Sequence, residues 1–354
     1  MDGTVWLWQR KGNMPVCCPR WKKNFKNVTI KAVPLGGLMS KQLRMTLVLG
    51  VAIAISLFIS ACGGNPSTTP ASGNTPSSGG STPSAGLGTP GEYTCVQGSA
   101  TASGSTALAP LVQAVAKDYQ AKCNGASITV NLGGSKTGLS QVESGVVQIG
   151  NSDVFASKTQ SDLVDHQVAV VIFALGINSK VTGVTNLTSD KIKGIYSGSI
   201  KNWNQVGGPN LPIVVISRPA SSGTRATFQQ YILGGPETIS GPSNLTTDST
   251  GTVIQNIKST DGAIGYVALG PAKKASLNLV TIDGNAPTPE LVKNNTYKFW
   301  NIEHMYTKGK PTDLAQALID YMASAQGKQE AASLNFVPLT DMSPDAVQAH
   351  QPKS

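Results

Sequence analysis

The stretch IVVISRPASSGTRATFQQYIL, residues 213–233, decides the architecture. Ile213–Ile216 is an apolar, β-branched run, the composition of a strand covered on both faces. A polar loop follows, Ser217 to Arg225, and carries Pro219 and Gly223. From Thr224 the chain reads as a helix, stopped by Gly234–Gly235. A strand passing through a polar, glycine-bearing loop into a helix is the repeating unit of α/β proteins.

The same unit recurs in both directions. SATASGS (99–105) closes a short strand, and Leu108, Leu111, Val112, Val115, Ala116 and Tyr119 follow at helical spacing. SITVNL (127–132) alternates as a strand, and Leu139, Val142 and Val146 mark a second helix. VVQIGNSD (146–153) reads as a strand running into a turn, and QVAVVIFALGIN (167–178) as a buried strand. DKIKGIYSG (190–198) predicts a helix, GAIGYVAL (262–269) a strand, NIEHMYTKG (301–309) a strand and DLAQALIDYMASAQG (313–327) one helix. Strands alternating with helices predict an α/β fold with mixed, mostly parallel sheets. Ligands of open α/β sheets sit at the carboxyl ends of the strands.

The net charge of +9 over 354 residues suggests a nucleic-acid partner, and its distribution excludes one. Of 28 Lys/Arg and 19 Asp/Glu, nine basic residues and one acid (Asp2) lie in residues 1–62. That leaves 19 basic and 18 acidic residues, too even a balance for a phosphate-neutralising face. The five cysteines form no CxxC and the three histidines (His166, His304, His350) are scattered, so neither a metal nor a cofactor is expected.

The N-terminal region reads as an address. Met45–Ile59 is an uninterrupted apolar run, preceded by Lys41 and Arg44 and followed by Ser60–Ala61–Cys62. It is shorter than the about 20 residues that a membrane-spanning helix needs. Residues 39–62 are therefore expected to be an export signal, with an uncleaved anchor as the alternative. Met39 is a natural start for it, which leaves residues 1–38 as a mis-called or unstructured extension. Residues 63–92 are almost all Gly, Ser, Thr, Pro, Asn and Ala, with Leu87 the exception, and are expected to be a flexible tether. In an exported chain Cys95 and Cys123 can pair; the alternative is two free thiols, one buried.

Four polar, glycine-bearing loops fall at predicted strand ends: GSTA (104–107), GGSKTG (133–138), GNSD (150–153) and SRPASSGTR (217–225). Each opens or precedes a helix, whose first N–H groups are unpaired and carry the positive end of the helix dipole. Serine and threonine add hydroxyl donors, and the set suits a small oxyanion. Taken singly, GSTA and SSGT are also plain helix caps, GGSKTG a tight turn and Asp153 a turn residue bonding its own backbone. Arg218 stands at a strand end four residues before Ser222, placed to pair bidentately with a tetrahedral anion.

These loops, in this order, resemble those of the phosphate-binding proteins of bacterial phosphate ABC transporters, over roughly residues 98–340. DGAIGYV (261–267) and YTKGKP (306–311) extend the resemblance. ISAC (59–62) likewise resembles a lipobox, in which Cys62 becomes the lipidated first mature residue. The resemblance implies a two-lobed periplasmic-binding-protein-like fold of type II with two hinge crossings over residues 93–348. The first lobe is expected from 93–172 and 300–345 and the second from 176–297, closing on the ligand by hinge motion. It implies a ligand shell of Thr106, Ala107, Ser135, Asp153, Arg218, Ser222, Gly223 and Thr224. Hydroxyls would come from Thr106, Ser135, Ser222 and Thr224, backbone N–H from Ala107, Gly223 and Thr224, and the one positive charge from Arg218. Asp153 would accept a hydrogen bond from the proton that phosphate keeps near neutral pH and sulfate lacks.

One position departs from the family. An acidic residue often follows the arginine by two positions, where this chain has Ala220, so another group must hold Arg218 and Asp153 is a candidate. The role of Arg225 stays open. The expected protein is a monomeric, lipid-anchored receptor on the outer face of the cell membrane. It would deliver inorganic phosphate to a membrane permease, with no enzymatic activity. A receptor for sulfate or a molybdate-like anion, an exported phosphatase, and a phosphate sensor or scavenger without a permease are the rivals.

Overall fold

The computed structural model describes residues 93–241 and 244–352. The extension, the signal with Cys62, and the tether, all expected within residues 1–92, lie outside the described residues. No described helix is long and apolar enough to cross a membrane.

The first half of the sheet begins with β1 (Gly98–Gly104), α1 (Ala109–Lys122), β2 (Ala126–Leu132), α2 (Ser135–Glu143) and β3 (Ile149–Ser152). α1 buries Leu111, Val112, Val115, Ala116 and Tyr119, the stripe that the spacing predicts. α2 stops at Glu143, earlier than the sequence suggests, because Gly145 takes φ 74° and the chain turns back. Val146 is thereby left outside the helix and exposed. Cys95 and Cys123 are joined in a disulfide, Cα atoms 5.1 Å apart, which ties the entry to β1 to the end of α1.

β4 (Leu163–Ile177) is longer than its apolar run and crosses the molecule. The second half contains β5 (Asn186–Leu187), α3 (Ser189–Ser197), β6 (Val214–Ser217), α4 (Gly223–Phe228), β7 (Asn244–Thr246), α5 (Thr250–Ser259) and β8 (Ala263–Ala268). It continues through α6 (Leu269–Lys274), β9 (Asn278–Ile282) and α7 (Pro289–Lys293). The chain then returns along β10 (Trp300–Lys308) into α8 (Asp313–Ala323), α9 (Ala325–Ser333), β11 (Phe336–Val337) and α10 (Pro344–Ala349). The segment predicted as one helix over 313–327 is two. Ser324 is extended, its hydroxyl accepts from the Gly327 N–H at 3.2 Å, and it caps the second helix.

The strand order is β2-β1-β3-β10-β4-β8-β6-β7. The outer ladders, β1 with β2 and β3, and β6 with β7 and β8, are parallel, as the alternation predicts. The middle is antiparallel, which makes the sheet mixed. β10 pairs with β3 and with residues 163–172 of β4, while residues 173–177 of β4 pair with β8. The chain thus passes between the two halves along β4 near residues 172–173 and returns just before β10. Phe173, Phe228, Tyr266 and Phe299 pack together near these passages, Phe228 stacked on Tyr266 at 4.5 Å.

Candidate functional site

The carboxyl ends of β1, β2, β3 and β6 come together, and the four loops follow them there. Close backbone approach makes this possible. A Cβ on Gly138 would lie 2.8 Å from both the Asn151 carbonyl oxygen and Gly104 Cα, so glycine lets α2 seat directly on β1 and β3. From the other half, Gly223 opens α4 against the first. A Cβ there would stand 2.8 Å from Asp153 Cβ and 3.0 Å from Ser135 Cβ. The Lys136 N–H donates to the Ser221 carbonyl at 3.1 Å. The two halves are therefore closed on each other at this point.

Thr106, Ala107, Ser135, Asp153, Arg218, Ser222, Gly223 and Thr224 are all buried here. Arg218 is 1 % exposed. Its Nη2 donates to Thr106 Oγ1 at 3.1 Å and to the Asp248 carbonyl at 3.0 Å. Its Nε and Nη1 are buried with no hydrogen-bond partner. Burial lowers the Arg218 pKa, an effect opposed chiefly by the nearby Asp153. Asp153 and Arg218 share no direct hydrogen bond, so the groups that orient the arginine are Thr106 and the Asp248 carbonyl. Arg225 is engaged by protein partners. Its Nη1 donates to the Arg218 carbonyl at 2.7 Å and its Nε lies 3.5 Å from Glu237, which Tyr266 also contacts.

Asp153 is 1 % exposed. Oδ1 accepts from the Ser105 hydroxyl and Oδ2 from Thr224 Oγ1 at 2.9 Å. Its N–H donates to Ser135 Oγ at 3.0 Å, and its carbonyl accepts from Asn301 Nδ2 at 2.7 Å. Burial raises its pKa, against the hydroxyls of Ser105 and Thr224 and the charge of Arg218. The carboxylate is therefore built in and oriented, beyond the turn-capping alternative.

Several expected donors are spoken for. The Ala107 N–H points to Ser105 Oγ at 3.1 Å, as does that of Leu108 at 3.0 Å. The hydroxyl of Thr224 serves Asp153. Ser222 caps α4, accepting from the Arg225 N–H at 3.2 Å. Ser105 takes the helix-capping place that the sequence offers for GSTA, whereas Asp248, Thr250, Asn301 and Glu303 lie outside the four loops that the sequence marks. The Thr250 N–H donates to Thr106 Oγ1 at 3.3 Å from the start of α5, where STGT (249–252) repeats the small-polar, glycine-bearing signal of the other loops. Its preceding strand β7 has only three residues, which left that loop without a strand to mark it. Among the described residues no three His, Cys, Asp or Glu side chains gather as a metal site would require.

A donor-lined, closed point between two α/β halves, with a buried arginine partly unpaired, has the chemistry that suits a small anion. Comparison with known proteins agrees. The model of the PBP superfamily domain matches residues 89–326. The phosphate-binding protein PstS of Bacillus subtilis is 44% identical over 245 residues, covering 68% of this chain and 80% of that protein. Its counterpart in Borreliella burgdorferi is 27% identical over 247 residues, with 66% and 88% covered. Among solved structures, one from Clostridium perfringens is described as a phosphate ABC transporter substrate-binding protein with bound phosphate. It superposes with TM-score 0.65 at 30% identity, covering 68% of this chain and 100% of that one. An ABC-type phosphate transport receptor from Vibrio cholerae gives TM-score 0.56 at 25% identity, with 67% and 99% covered. The chain belongs to the PBP superfamily and, within it, to the phosphate-binding proteins of which the Bacillus relative is a member.

Proposed function

We propose that the protein is an extracytoplasmic receptor that binds inorganic phosphate and delivers it to the permease of an ABC transporter, without catalysing a reaction. One observation carries the reading: Arg218 is buried with Nε and Nη1 unpaired. A desolvated guanidinium whose Nε and Nη1 have no protein partner is costly unless an anion takes those donors. The names of the relatives support phosphate as that anion. The hydroxyls of Thr106, Ser135 and Ser222 and the N–H groups of Gly223 and Thr224 would complete the shell, while the Thr224 hydroxyl stays with Asp153. Asp153 would accept a hydrogen bond from the protonated oxygen of the ligand, which sulfate cannot offer.

Residues 93–172 and 300–345 form one lobe in this reading and 176–297 the other. Asp153 on one side and Arg218 on the other would make binding and closure one event. Cys62 is the proposed lipid anchor, the first residue left once the signal before it is removed, with 63–92 as the tether that lets a monomeric receptor reach its permease. Calorimetric titration of the refolded, ligand-stripped protein with phosphate and with sulfate tests the assignment. Phosphate alone should bind, and Arg218→Met should abolish measurable binding. Binding of sulfate alone would move the protein to another anion. Binding of neither would return the loops to structural turns.

A further inference from the structure

β10 runs beneath Asp153. Asn301, on this strand, donates to the Asp153 carbonyl, and Glu303 shares its face two residues on. Glu303 is fully buried, and no N–H or hydroxyl reaches either carboxyl oxygen. What it meets is the Asp153 carboxyl, within hydrogen-bonding reach. β4 sets Ala169 opposite Glu303, and the buried face of α2 offers Ser135, Gly138, Leu139 and Val142, none of them titratable. Beyond Asp153 stands Arg218.

Two ionised carboxylates at hydrogen-bonding distance repel strongly, so one proton lies between them. Asp153 already accepts from Ser105 and Thr224 and has Arg218 beside it, all of which favour its charged form. Glu303 has no such support. Burial, together with the charge of Asp153, pushes its carboxyl well above the usual carboxylate range. The contacts of the two carboxyls therefore favour the proton on Glu303.

We propose that Glu303 is a positioning residue of the anion site, a neutral carboxylic acid that donates its hydrogen bond to Asp153 and fixes that carboxylate from below. This rests on the phosphate reading. Asp153 then keeps its charge against burial and faces the ligand as an acceptor, while Glu303 adds no negative charge of its own. Ionisation of Glu303 at alkaline pH would remove the donor and set a second anion near the phosphate.

Titration of the protein with inorganic phosphate between about pH 6.5 and 10, in wild type, Glu303→Gln and Glu303→Met, decides it. Glutamine can donate to Asp153 and cannot ionise. Its affinity at pH 7 should stay within about threefold of wild type, and it should lack the alkaline loss of affinity shown by wild type. Methionine fills the space and cannot donate, and should weaken phosphate binding about tenfold or more at pH 7. A folded Glu303→Met protein with wild-type affinity would overturn the proposal, as would a glutamine variant as weak as the methionine one. If the methionine variant does not fold, the alkaline limb of Glu303→Gln against wild type decides alone, and identical limbs refute it. A wild type that binds no phosphate removes the site reading and this inference with it, whereas a phosphate-binding wild type with indifferent variants removes the inference only.

Discussion

Gly223→Ala separates closure from folding. Gly223 begins α4, where its φ is not in the left-handed region, so alanine suits the backbone and improves helix propensity by up to about 1 kcal/mol. The added methyl belongs to the interface between the halves. It would sit 2.8 Å from Asp153 Cβ, 3.0 Å from Ser135 Cβ, and closer still to Ser135 Oγ. Neither neighbour is free to move away. Ser135 Oγ accepts from the Asp153 N–H, and the Asp153 carboxylate is held by Ser105 and Thr224. The halves must therefore part by several tenths of an ångström or distort. Over-packing of this kind costs about 1–3 kcal/mol, which is about 5- to 150-fold in Kd. The backbone N–H at 223 survives the change, so a donor is not lost. Calorimetric titration with phosphate reads the penalty, and thermal unfolding without phosphate should show the melting temperature unchanged or slightly raised. Wild-type affinity in Gly223→Ala would refute the claim that the closed contact is the binding state. A fall of several degrees in the ligand-free melting temperature would show that Gly223 serves the fold instead.

Asp153→Asn replaces an acceptor with a side chain that can also donate, so phosphate should weaken and sulfate strengthen, shifting their ratio about 5- to 150-fold in competition titrations. Cys123→Ala opens the Cys95–Cys123 link, which spans 28 residues, and should lower stability by about 2–4 kcal/mol in denaturant unfolding while leaving phosphate affinity unchanged. Folded Glu303 keeps its proton above the ordinary value of 4.5 at which the unfolded chain releases it, so its contribution is full below that pH and falls as pH rises toward the folded value. The loss is about 1.4 kcal/mol per pH unit. Ligand-free Glu303→Gln, lacking that loss, should gain stability over wild type steadily from pH 5 to pH 8; parallel stability curves would refute the neutral acid.

The halves of the fold differ in how openly the sequence declares them. Ile213–Leu233 announces strand, loop and helix because a two-sided β-branched run and a glycine stop are local signals. The direction of β4 is not local. Its apolar run says that both faces are covered and nothing about which neighbour covers them, so its antiparallel pairing with β10 and β8 emerges only in space. Ser324 splits α8 from α9 without any proline to mark it. At the site, the loops are legible because small polar residues and glycine recur at strand ends, and their roles came from the family resemblance. Asp248 contributes through its carbonyl, a group every residue has, so its side chain carries no signal. Glu303 is hidden for another reason. An acid inside NIEHMYTKG looks like the solvent side of a half-buried strand, but β10 lies mid-sheet with Trp300–Thr307 buried on both faces.

That burial also explains how a site with two acids can suit an anion. Arg218 brings one positive charge, Asp153 one negative, and a protonated Glu303 none, so the point between the halves is near neutral before phosphate arrives. Attraction for the ligand then comes mainly from oriented N–H and O–H dipoles, whose strength grows where water is excluded. Arg218 is held there by Thr106, the Asp248 carbonyl and the field of Asp153, and its Nε and Nη1 have no protein partner. Specificity follows from the same arrangement. In the proposed reading an oxyanion without a proton would meet Asp153 as a like charge and an unpaired acceptor at once, while phosphate would turn that position into a hydrogen bond.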